Sequence, residues 1–558
     1  MNLKSLPAIL ALASAIGAQT LPTDAKATCT VPAATFKTWF ASGSVAVNGV
    51  VNPANSVTFT PNSLCSFYQW SEQMFLWLTS PTPSIYGGGP RIFDSGVFFD
   101  VTPLDSNGNR TLVQHTSQGR VLPFPVRFSQ AGPHGLPVVR DTAGVFHEVE
   151  LPKISAAGNQ VIHDSAGNPV EIGKATVVGG KPVLLDTAGK TLNLSSLLKR
   201  PAVQARLVSN LSSVTLQKIT VGSSIFFIGS GGSIVPVEQN QADDMVLESQ
   251  KNGLIYFATI VNDVYAYFST GLLDHKLTGT SFPTTAAQLA AIVAFAKTHG
   301  TTFPDPNALA VEIKSSWVDA SGLANLGSYI TVQGTVPTYN TSNPKDFKAT
   351  GTKTIQLALV GMHVVGTVQG HPEMIWATFE HVGNTPLATY SYTNTTGATK
   401  TVAQSTAGTW LFSKTGSSGP FNVAHMQQSG SDITALGAFN VSPSDTIRFT
   451  PFGSFGNAAG AASNTDILAI NNSIRSQLTA ADIRSNYVFS GAVWTLNGAS
   501  PSAPGTTQAG TIQLTNSTME TYEQGTSNTA ASSNCLSCHA LNTTGTSHVF
   551  SAIKTPLF

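Results

Sequence analysis

Charged side chains are scarce in this chain of 558 residues. Only 10% of its residues are Asp, Glu, Lys or Arg, whereas soluble proteins typically contain about 25%. The 29 basic residues are balanced by 29 acidic ones, so the formal net charge is zero. Because no basic surplus exists, we expect neither a nucleic-acid partner nor binding to an anionic membrane surface.

Long apolar runs are also missing. The longest run near the N-terminus covers residues 6–18, follows Lys4 and ends in small residues. It is too short to cross a bilayer comfortably, which takes about 20 residues, but it has the length of the apolar region of a secretory signal. We therefore predict a signal peptide at residues 1–18, with Ala15, Ala18 and Ala25 as alternative cleavage positions. A membrane anchor or a buried first helix is the competing interpretation.

Export would place the mature chain in the periplasm or outside the cell. No later segment reaches spanning length without polar interruption, so we expect no transmembrane segment after the signal is removed.

Gly, Ser, Thr and Asn take the place of charged residues, and this exchange favours turns, strands and polar β surface. Apolar stretches such as residues 355–365 and 375–381 are typical of strands. The fold class is predicted to be mainly β, with β-sandwich-like layers, a few packed helices and α+β elaborations. The spacing of apolar residues predicts helices at 66–79, 284–299, 464–486 and 516–524.

A small internal repeat divides the middle of the chain. Asp-x-Ala-Gly recurs at Asp141, Asp164 and Asp186, each time between stretches rich in Val, Ile and Leu. Asp and Gly at these positions suit hairpin turns. We predict a β-hairpin insertion at 138–195 within a β-rich body at 19–510, followed by a C-terminal segment at 511–558.

The cysteines number only four. Cys29 and Cys65 are early in the chain, and in an oxidising compartment they could form a disulfide. Two buried thiols are the alternative. The other two, Cys535 and Cys538, lie close together near the C-terminus.

The late pair belongs to the sequence Cys535-Leu-Ser-Cys538-His539, which has the form Cys-x-x-Cys-His. Two thiols at this spacing can form thioether bonds to the two vinyl groups of a porphyrin, and the next histidine can ligate the iron. In these five positions the chain resembles c-type cytochromes. The resemblance implies one covalent haem c, attached through Cys535 and Cys538, with His539 as an axial iron ligand.

Three other interpretations of the motif stay open. A redox-active Cys-x-x-Cys normally lies in a thioredoxin-like βαβ context, which is not evident here. A zinc site needs four ligands, and only His548 is near. A plain disulfide would leave His539 without a role.

The chain departs from the usual cytochrome pattern after the motif. Only 19 residues follow His539, and none of them is Met. A compact helical cytochrome domain therefore cannot be built downstream, and the haem is expected to dock on the preceding body. That body is similar to large exported bacterial proteins with a C-terminal haem motif, through the segment at residues 370–381. The similarity implies no established activity.

The sixth iron ligand has several candidates. His548 and Met519 lie on either side of the motif, and an open position is a further alternative. Four central histidines are the remaining candidates: His363, His371, His381 and His425. Glu373 and Glu380 could pair with His371 and His381 for acid–base chemistry.

These observations predict an exported mono-haem redox protein that transfers electrons to an unknown partner protein. A haem-dependent oxidase, oxygenase or peroxidase with an open iron position is the first alternative. A surface binding protein with an accessory haem is the second. The sequence names no substrate.

Overall fold

The structure is a computed structural model of the whole chain. The residues it describes are 20–103, 109–115, 130–131, 137–140, 146–150, 153–155, 159–164, 168–178, 181–196, 215–221, 224–229, 232–235, 245–405, 408–429, 431–454, 460–501, 503, 506–524, 535–539, 544 and 546–558. The predicted signal peptide at residues 1–18 lies outside them.

Strands dominate the described part of the chain, and the predicted mainly β class is confirmed. The helices are α1 (Ala33–Trp39), α2 (Leu64–Leu78), α3 (Asp263–Leu273), α4 (Ala286–Thr298), α5 (Ala461–Gln477) and α6 (Cys535–Cys538). None of these helices is both long enough and apolar enough to cross a membrane.

The strands fall into a first group before α3 and a second group after α4. The first group is β1 (Phe98–Val101), β2 (Leu112–Gln114), β3 (Gln130–Ala131), β4 (Pro137–Arg140), β5 (Phe146–Glu150), β6 (Lys153–Ile154), β7 (Gln160–His163), β8 (Pro169–Val178), β9 (Lys181–Asp186), β10 (Leu216–Val221), β11 (Ser224–Ile228) and β12 (Ile255–Asn262). The second is β13 (Val311–Asp319), β14 (Thr331–Asn340), β15 (Asp346–Val368), β16 (His371–His381), β17 (Tyr390–Thr393), β18 (Thr399–Val402), β19 (Met426–Ser429), β20 (Asp432–Ala435), β21 (Tyr487–Thr495) and β22 (Gln508–Gly510).

One large antiparallel sheet organises the molecule. Its order is β2-β1-β12-β13-β15-β16-β21-β22. Strands β14 and β20 also pair with β15, and β19 pairs with β20. The long strand β15 pairs with β14 through its first half and with β16 through its second half. Successive side chains of a strand point to opposite faces, so each central strand contributes to two different cores.

Helices cover both faces of this sheet. On the first face, Ile313, Val364 and Ile375 share a core with aromatic residues of α2. On the second face, Val365 and Trp376 share a core with residues of α3, α4 and the C-terminal segment. The packed helices of the prediction are therefore the layers that enclose the sheet.

The predicted helices were found with different accuracy. The prediction at 66–79 corresponds to α2, and the one at 284–299 to α4, whose start Thr285 caps together with Gln288. The prediction at 464–486 is too long, because α5 ends at Gln477 and a short 3-10 turn, Ile483–Asn486, precedes β21. The helix predicted at 516–524 is wrong, since the structure has turns there.

Helix α3 was not predicted. Its residues from Asp263 to Gly271 are all buried, and five consecutive apolar residues, Val264 to Phe268, lie around its circumference in the second core, so no exposed polar face marks it in the sequence. Its start is nevertheless encoded, because the Asn262 side chain accepts a hydrogen bond from the Tyr265 N–H.

Strands of the predicted hairpin region, 138–195, lie in two smaller sheets, β11-β10-β5-β4-β3 and β6-β7-β8-β9. Strands β3, β10 and β11 of the first sheet lie outside the predicted region. In the third repeat, Asp186 Oδ1 accepts hydrogen bonds from the N–H groups of Ala188 and Lys190, and Gly189 has φ +79°. This is a hairpin turn of the predicted kind. Residues 141–144 and 165–167 of the other two repeats lie outside the described residues.

The segment after the predicted signal is built into the body. Leu21 and Ala25 are buried, and the Tyr392 hydroxyl donates to Asp24 Oδ1 at 2.5 Å. The Lys26 N–H also donates to the Thr393 carbonyl at 2.9 Å. Cleavage after Ala25 would remove the hydrogen bond between Tyr392 and Asp24, whereas cleavage after Ala15 or Ala18 would keep both hydrogen bonds.

The structure joins Cys29 and Cys65 by a disulfide, with a Cα–Cα distance of 5.5 Å. It ties the N-terminal segment to the start of α2, the helix whose aromatic residues fill the first core.

We expect the double variant Cys29→Ser, Cys65→Ser to lose about 2–4 kcal/mol of unfolding free energy, because the bond closes a loop across 36 positions of the unfolded chain. Urea unfolding with and without reductant measures this. Reductant should lower the stability of the wild type to that of the variant and leave the variant unchanged. Two reactive thiols at these positions in oxidised native protein would contradict the assignment.

Candidate functional site

The Cys-x-x-Cys-His motif occupies a single helical turn. Helix α6 begins at Cys535 and ends at Cys538, and the His539 N–H donates to the Cys535 carbonyl at 2.8 Å. Residues three apart lie on the same face of a helix, so the turn places both cysteines on one side and His539 directly after them. The Cys535 side chain is half-buried, and that of Cys538 lies outside the described part of the structure.

His539 is held in one orientation by the residues that follow it. Its Nδ1 lies 2.6 Å from the Thr546 carbonyl oxygen. A carbonyl can only accept, so Nδ1 carries the proton and Nε2 is the nitrogen with the lone pair. Hydrogen bonding of one ring nitrogen in this way is how proteins orient a metal-binding histidine.

Two rings enclose the His539 imidazole. The Trp376 ring centroid lies 4.1 Å away, and His548 stacks nearly parallel at 4.0 Å with an interplanar angle of 19°. Burial, followed by the nearby His548 and Lys314, keeps the pKa of His539 well below its usual value. The imidazole is therefore neutral, which is the form that ligates metals.

The motif is docked on the second face of the main sheet. Leu536 is buried in the same core as Trp376, Val493 and Ile553. The chain after the motif continues across this face, where Phe550 packs against Tyr265 and other rings of the second core.

The end of the chain is anchored as well. Phe558 stacks on His299 at the end of α4, with ring centroids 4.0 Å apart. The Arg110 N–H donates to the Ala552 carbonyl at 2.8 Å. The residues after the motif are thus held by the body at several points.

Polar side chains lie on the sheet beside the motif, and we call them the polar cluster: Glu312, Lys314, His363, Glu520 and Ser547. The Ser547 hydroxyl donates to Glu312 Oε2 at 2.5 Å and lies 2.7 Å from the Tyr265 hydroxyl. Burial, and then the Glu312 carboxylate, raise the pKa of Tyr265 well above its usual value, so its hydroxyl remains a donor.

The other half of the polar cluster is centred on His363. Its Nδ1 lies 2.6 Å from Thr378 Oγ1, and its Nε2 lies 2.9 Å from Glu520 Oε1. Both ring nitrogens are therefore engaged within the sheet and the turn that follows β22. Iron ligation by His363 would require one of these bonds to break.

The turns at 516–521 are pinned to the sheet by side chains. The Ser517 N–H donates to Glu380 Oε1 at 2.8 Å, and Thr518 Oγ1 lies 2.7 Å from Ser316 Oγ. Asn516 Oδ1 accepts from the Thr518 N–H at 2.9 Å. Such side-chain bonds compete with a helix for backbone groups, which explains the wrong helix prediction. Met519 is fully buried in this segment.

Of the two predicted contacts between a glutamate and a histidine, the structure has one. His371 Nδ1 lies 2.9 Å from Glu373 Oε1, as expected. The second pair is wrong, because Glu380 forms a fully buried ion pair with Arg448, at 3.3 Å from Nε to Oε1. Glu380 thus positions the segment before the motif and does not contact His381.

The four central histidines do not form one group. Only His363 lies near the motif. His371 begins β16 and packs edge-on against Phe67 of α2 on the first face. His381 stacks on Tyr329 and accepts the Gly383 N–H at Nδ1, while His425 stacks on Phe439.

Glu312, Lys314 and Trp376 were not singled out from the sequence. A signal was present, because polar residues alternate with apolar ones in Ala310-Val-Glu-Ile-Lys. In a strand buried on both faces, such polar positions need partners. The proximity of these residues to the motif is a consequence of strand pairing, which the sequence does not display.

The donor set of the motif suits a haem: two cysteines in one helical turn, followed by a histidine whose Nε2 carries the lone pair. Among the described residues, no group of three or more His, Cys, Asp or Glu side chains is arranged to hold a metal ion.

His381 gives a pH-dependent contribution to stability. Burial lowers its pKa to about 3, so the folded protein keeps it neutral at pH values where the unfolded chain, with a pKa near 6.5, takes up a proton. Its contribution is complete above about pH 6.5 and declines as the pH falls toward 3, by up to about 4 kcal/mol.

We expect His381→Gln to have a flatter acid limb than the wild type in urea unfolding between pH 7 and 4. His275→Gln is the matched control, because His275 is exposed, and its curve should run parallel to that of the wild type. An acid limb of His381→Gln as steep as that of the wild type would show that His381 is protonated in the folded state.

No protein-family model matches this chain, and neither does any curated protein or any solved structure. The resemblance to c-type cytochromes therefore rests on the five residues from Cys535 to His539.

Proposed function

We propose that this chain is an exported mono-haem redox protein that carries one haem c on Cys535, Cys538 and His539. The observation that carries the proposal is the bond between His539 Nδ1 and the Thr546 carbonyl, in a histidine that directly follows a one-turn Cys-x-x-Cys helix. This arrangement leaves Nε2 as the ligating nitrogen.

The roles of the residues follow from their chemistry. Cys535 and Cys538 would hold the haem through thioether bonds; each thiol would add across one vinyl double bond, its hydrogen passing to the neighbouring carbon, so that no oxidant would be required. His539 would supply a nitrogen ligand to the iron. The haem supplies one-electron chemistry when bound. Trp376 and Leu536 shield the ligand side of the site from water.

Export is proposed for two reasons. The N-terminal sequence has the pattern of a secretory signal. The disulfide between Cys29 and Cys65 is a bond that persists in oxidising compartments outside the cytoplasm. We place the mature protein in the periplasm or outside the cell, where it exchanges electrons with a partner protein.

A haem enzyme is the second candidate, and the polar cluster favours it. Lys314, His363 and Glu520 are groups capable of proton transfer or of binding a polar substrate, and they lie on the same sheet face as the motif. Such an enzyme would need an open iron position. Electron transfer remains the leading proposal because it does not require an open iron position.

His548 is a poor candidate for the sixth ligand in the arrangement seen here. His548 stacks on the face of the His539 ring at 4.0 Å. To ligate an iron held by His539 from the opposite side, it would have to leave this position. Met519, a rearranged His363 or an open position remain as alternatives.

The attachment is tested by intact-mass analysis of protein made together with haem-attachment machinery. We expect an increment of about 616 Da over the signal-cleaved chain, retained after acid–acetone extraction. Cys535→Ser, Cys538→Ser should lose it, whereas Cys29→Ser, Cys65→Ser should keep it. An unmodified mass for the wild type, or extraction-resistant haem in the first variant, would refute covalent attachment.

The role of His548 is tested by the ferric visible and near-infrared spectrum of the holoprotein. We expect His548→Ala to retain the spin state and the charge-transfer bands of the wild type, because His548 stacks on His539 and would not be free to ligate the iron. His539→Ala is the control and should change both. A change from low to high spin in His548→Ala would make it the sixth ligand.

A further inference from the structure

Lys314 is a buried cation whose surroundings are incomplete. Its side chain is only 9% exposed, and its Nζ lies 3.7 Å from Glu312 Oε1. That distance allows an ion pair but exceeds the length of a hydrogen bond. Within the described residues, no oxygen is hydrogen-bonded to this ammonium group. Burying an ammonium is costly unless it is both paired and hydrogen-bonded.

Glu312 cannot fully satisfy Lys314. Its Oε2 accepts the Ser547 hydroxyl, while its Oε1 is fully buried without a hydrogen-bond partner in the described part of the chain. The Lys314 ammonium and Glu312 Oε1 thus lie 3.7 Å apart, and neither has a hydrogen-bond partner among the described residues.

The position of Lys314 indicates what belongs there. Its Nζ lies 5.9 Å from the centroid of the Trp376 ring, and the same ring lies 4.1 Å from the His539 imidazole. Lys314 and His539, the proposed iron ligand, thus both lie near the indole ring of Trp376. Lys314 is therefore a cation near His539, where it would be available to an anionic group on a molecule that His539 ligates.

We infer that Lys314 is the hydrogen-bonding counter-ion of a haem propionate carboxylate. The inference rests on the proposed function, because a c-type haem is the source of the carboxylate. A charge-assisted hydrogen bond would supply the acceptor that the ammonium lacks, and it would leave Lys314 between two carboxylates. A free carboxylate from solution has the same chemistry and is the alternative source.

The experiment uses full-length holoprotein in which the haem propionates carry ¹³C. Redox-difference infrared spectroscopy then reports the carboxylate bands of the propionates alone. We expect a shift of one labelled band in Lys314→Met relative to the wild type, and recovery of its position in Lys314→Arg. Lys353→Met is the matched control, because Lys353 is an exposed lysine of the neighbouring strand β15, and it should leave the band unchanged.

The experiment is repeated in the Glu312→Gln variant, which removes the effect of an unpaired Glu312 carboxylate. Lys314→Met leaves Glu312 buried without its cation, which lowers the reduction potential by itself. The same comparison is therefore repeated in Glu312→Gln, where Lys314→Met should still shift the labelled band and still lower the reduction potential. Retention of the haem mass and of the far-ultraviolet circular dichroism spectrum shows that the variants are folded.

The outcomes separate the two levels of the proposal. Absence of the haem mass in the wild type would overturn the proposed function, and the propionate contact with it. Full haem mass with an unshifted labelled band in Lys314→Met would overturn the propionate contact alone and leave a structural ion pair. A reduction potential of the wild type that moves when acetate is added would show that Lys314 is open to free anions, which also overturns the propionate assignment.

Discussion

The structure depends on an antiparallel sheet whose central strands are buried on both faces. Strand alternation sends Ile313 toward the first core and Glu312 and Lys314 toward the second. A strand that buries only apolar residues needs no specific partner, but one that buries a carboxylate and an ammonium does. The C-terminal tail provides part of that partner through the Ser547 hydroxyl, so the tail and the sheet stabilise one another.

This coupling explains why so short a tail can carry a cofactor motif. Residues 546–558 are too few to form a core of their own. They pack into the second core instead, where Phe550 contacts rings of α3 and of the loop before α4. The Thr546 carbonyl is thereby held in place and orients His539. If the chain carries the proposed haem, the body would thus take the place of the downstream helical domain of a compact cytochrome.

The residue that covers the His539 ring is positioned by the large body of the protein. Trp376, which covers the His539 ring, lies in the middle of the main sheet, flanked by β15 and β21. Its position depends on the pairing of strands that are far apart in sequence. The buried Arg448–Glu380 pair and the turns at 516–521 then place the chain that leads to the motif.

By itself the sequence determined the elements whose signals are local. The mainly β class, α2, α4 and the hairpin turn at Asp186 follow from composition, periodicity and turn chemistry within a few residues. The candidate attachment motif is equally local, because its chemistry needs only five adjacent residues. The sequence also paired His371 with Glu373, which are two positions apart.

Only the tertiary structure decided which distant groups meet. It separated the four central histidines, paired Glu380 with Arg448, and brought Lys314 and Trp376 beside His539. It also buried α3 on all sides. At 516–524, where a helix was predicted, it formed turns that side-chain contacts hold against the sheet. These outcomes depend on strand order and register, which arise from contacts between residues far apart in the chain and leave no periodic trace in any one segment.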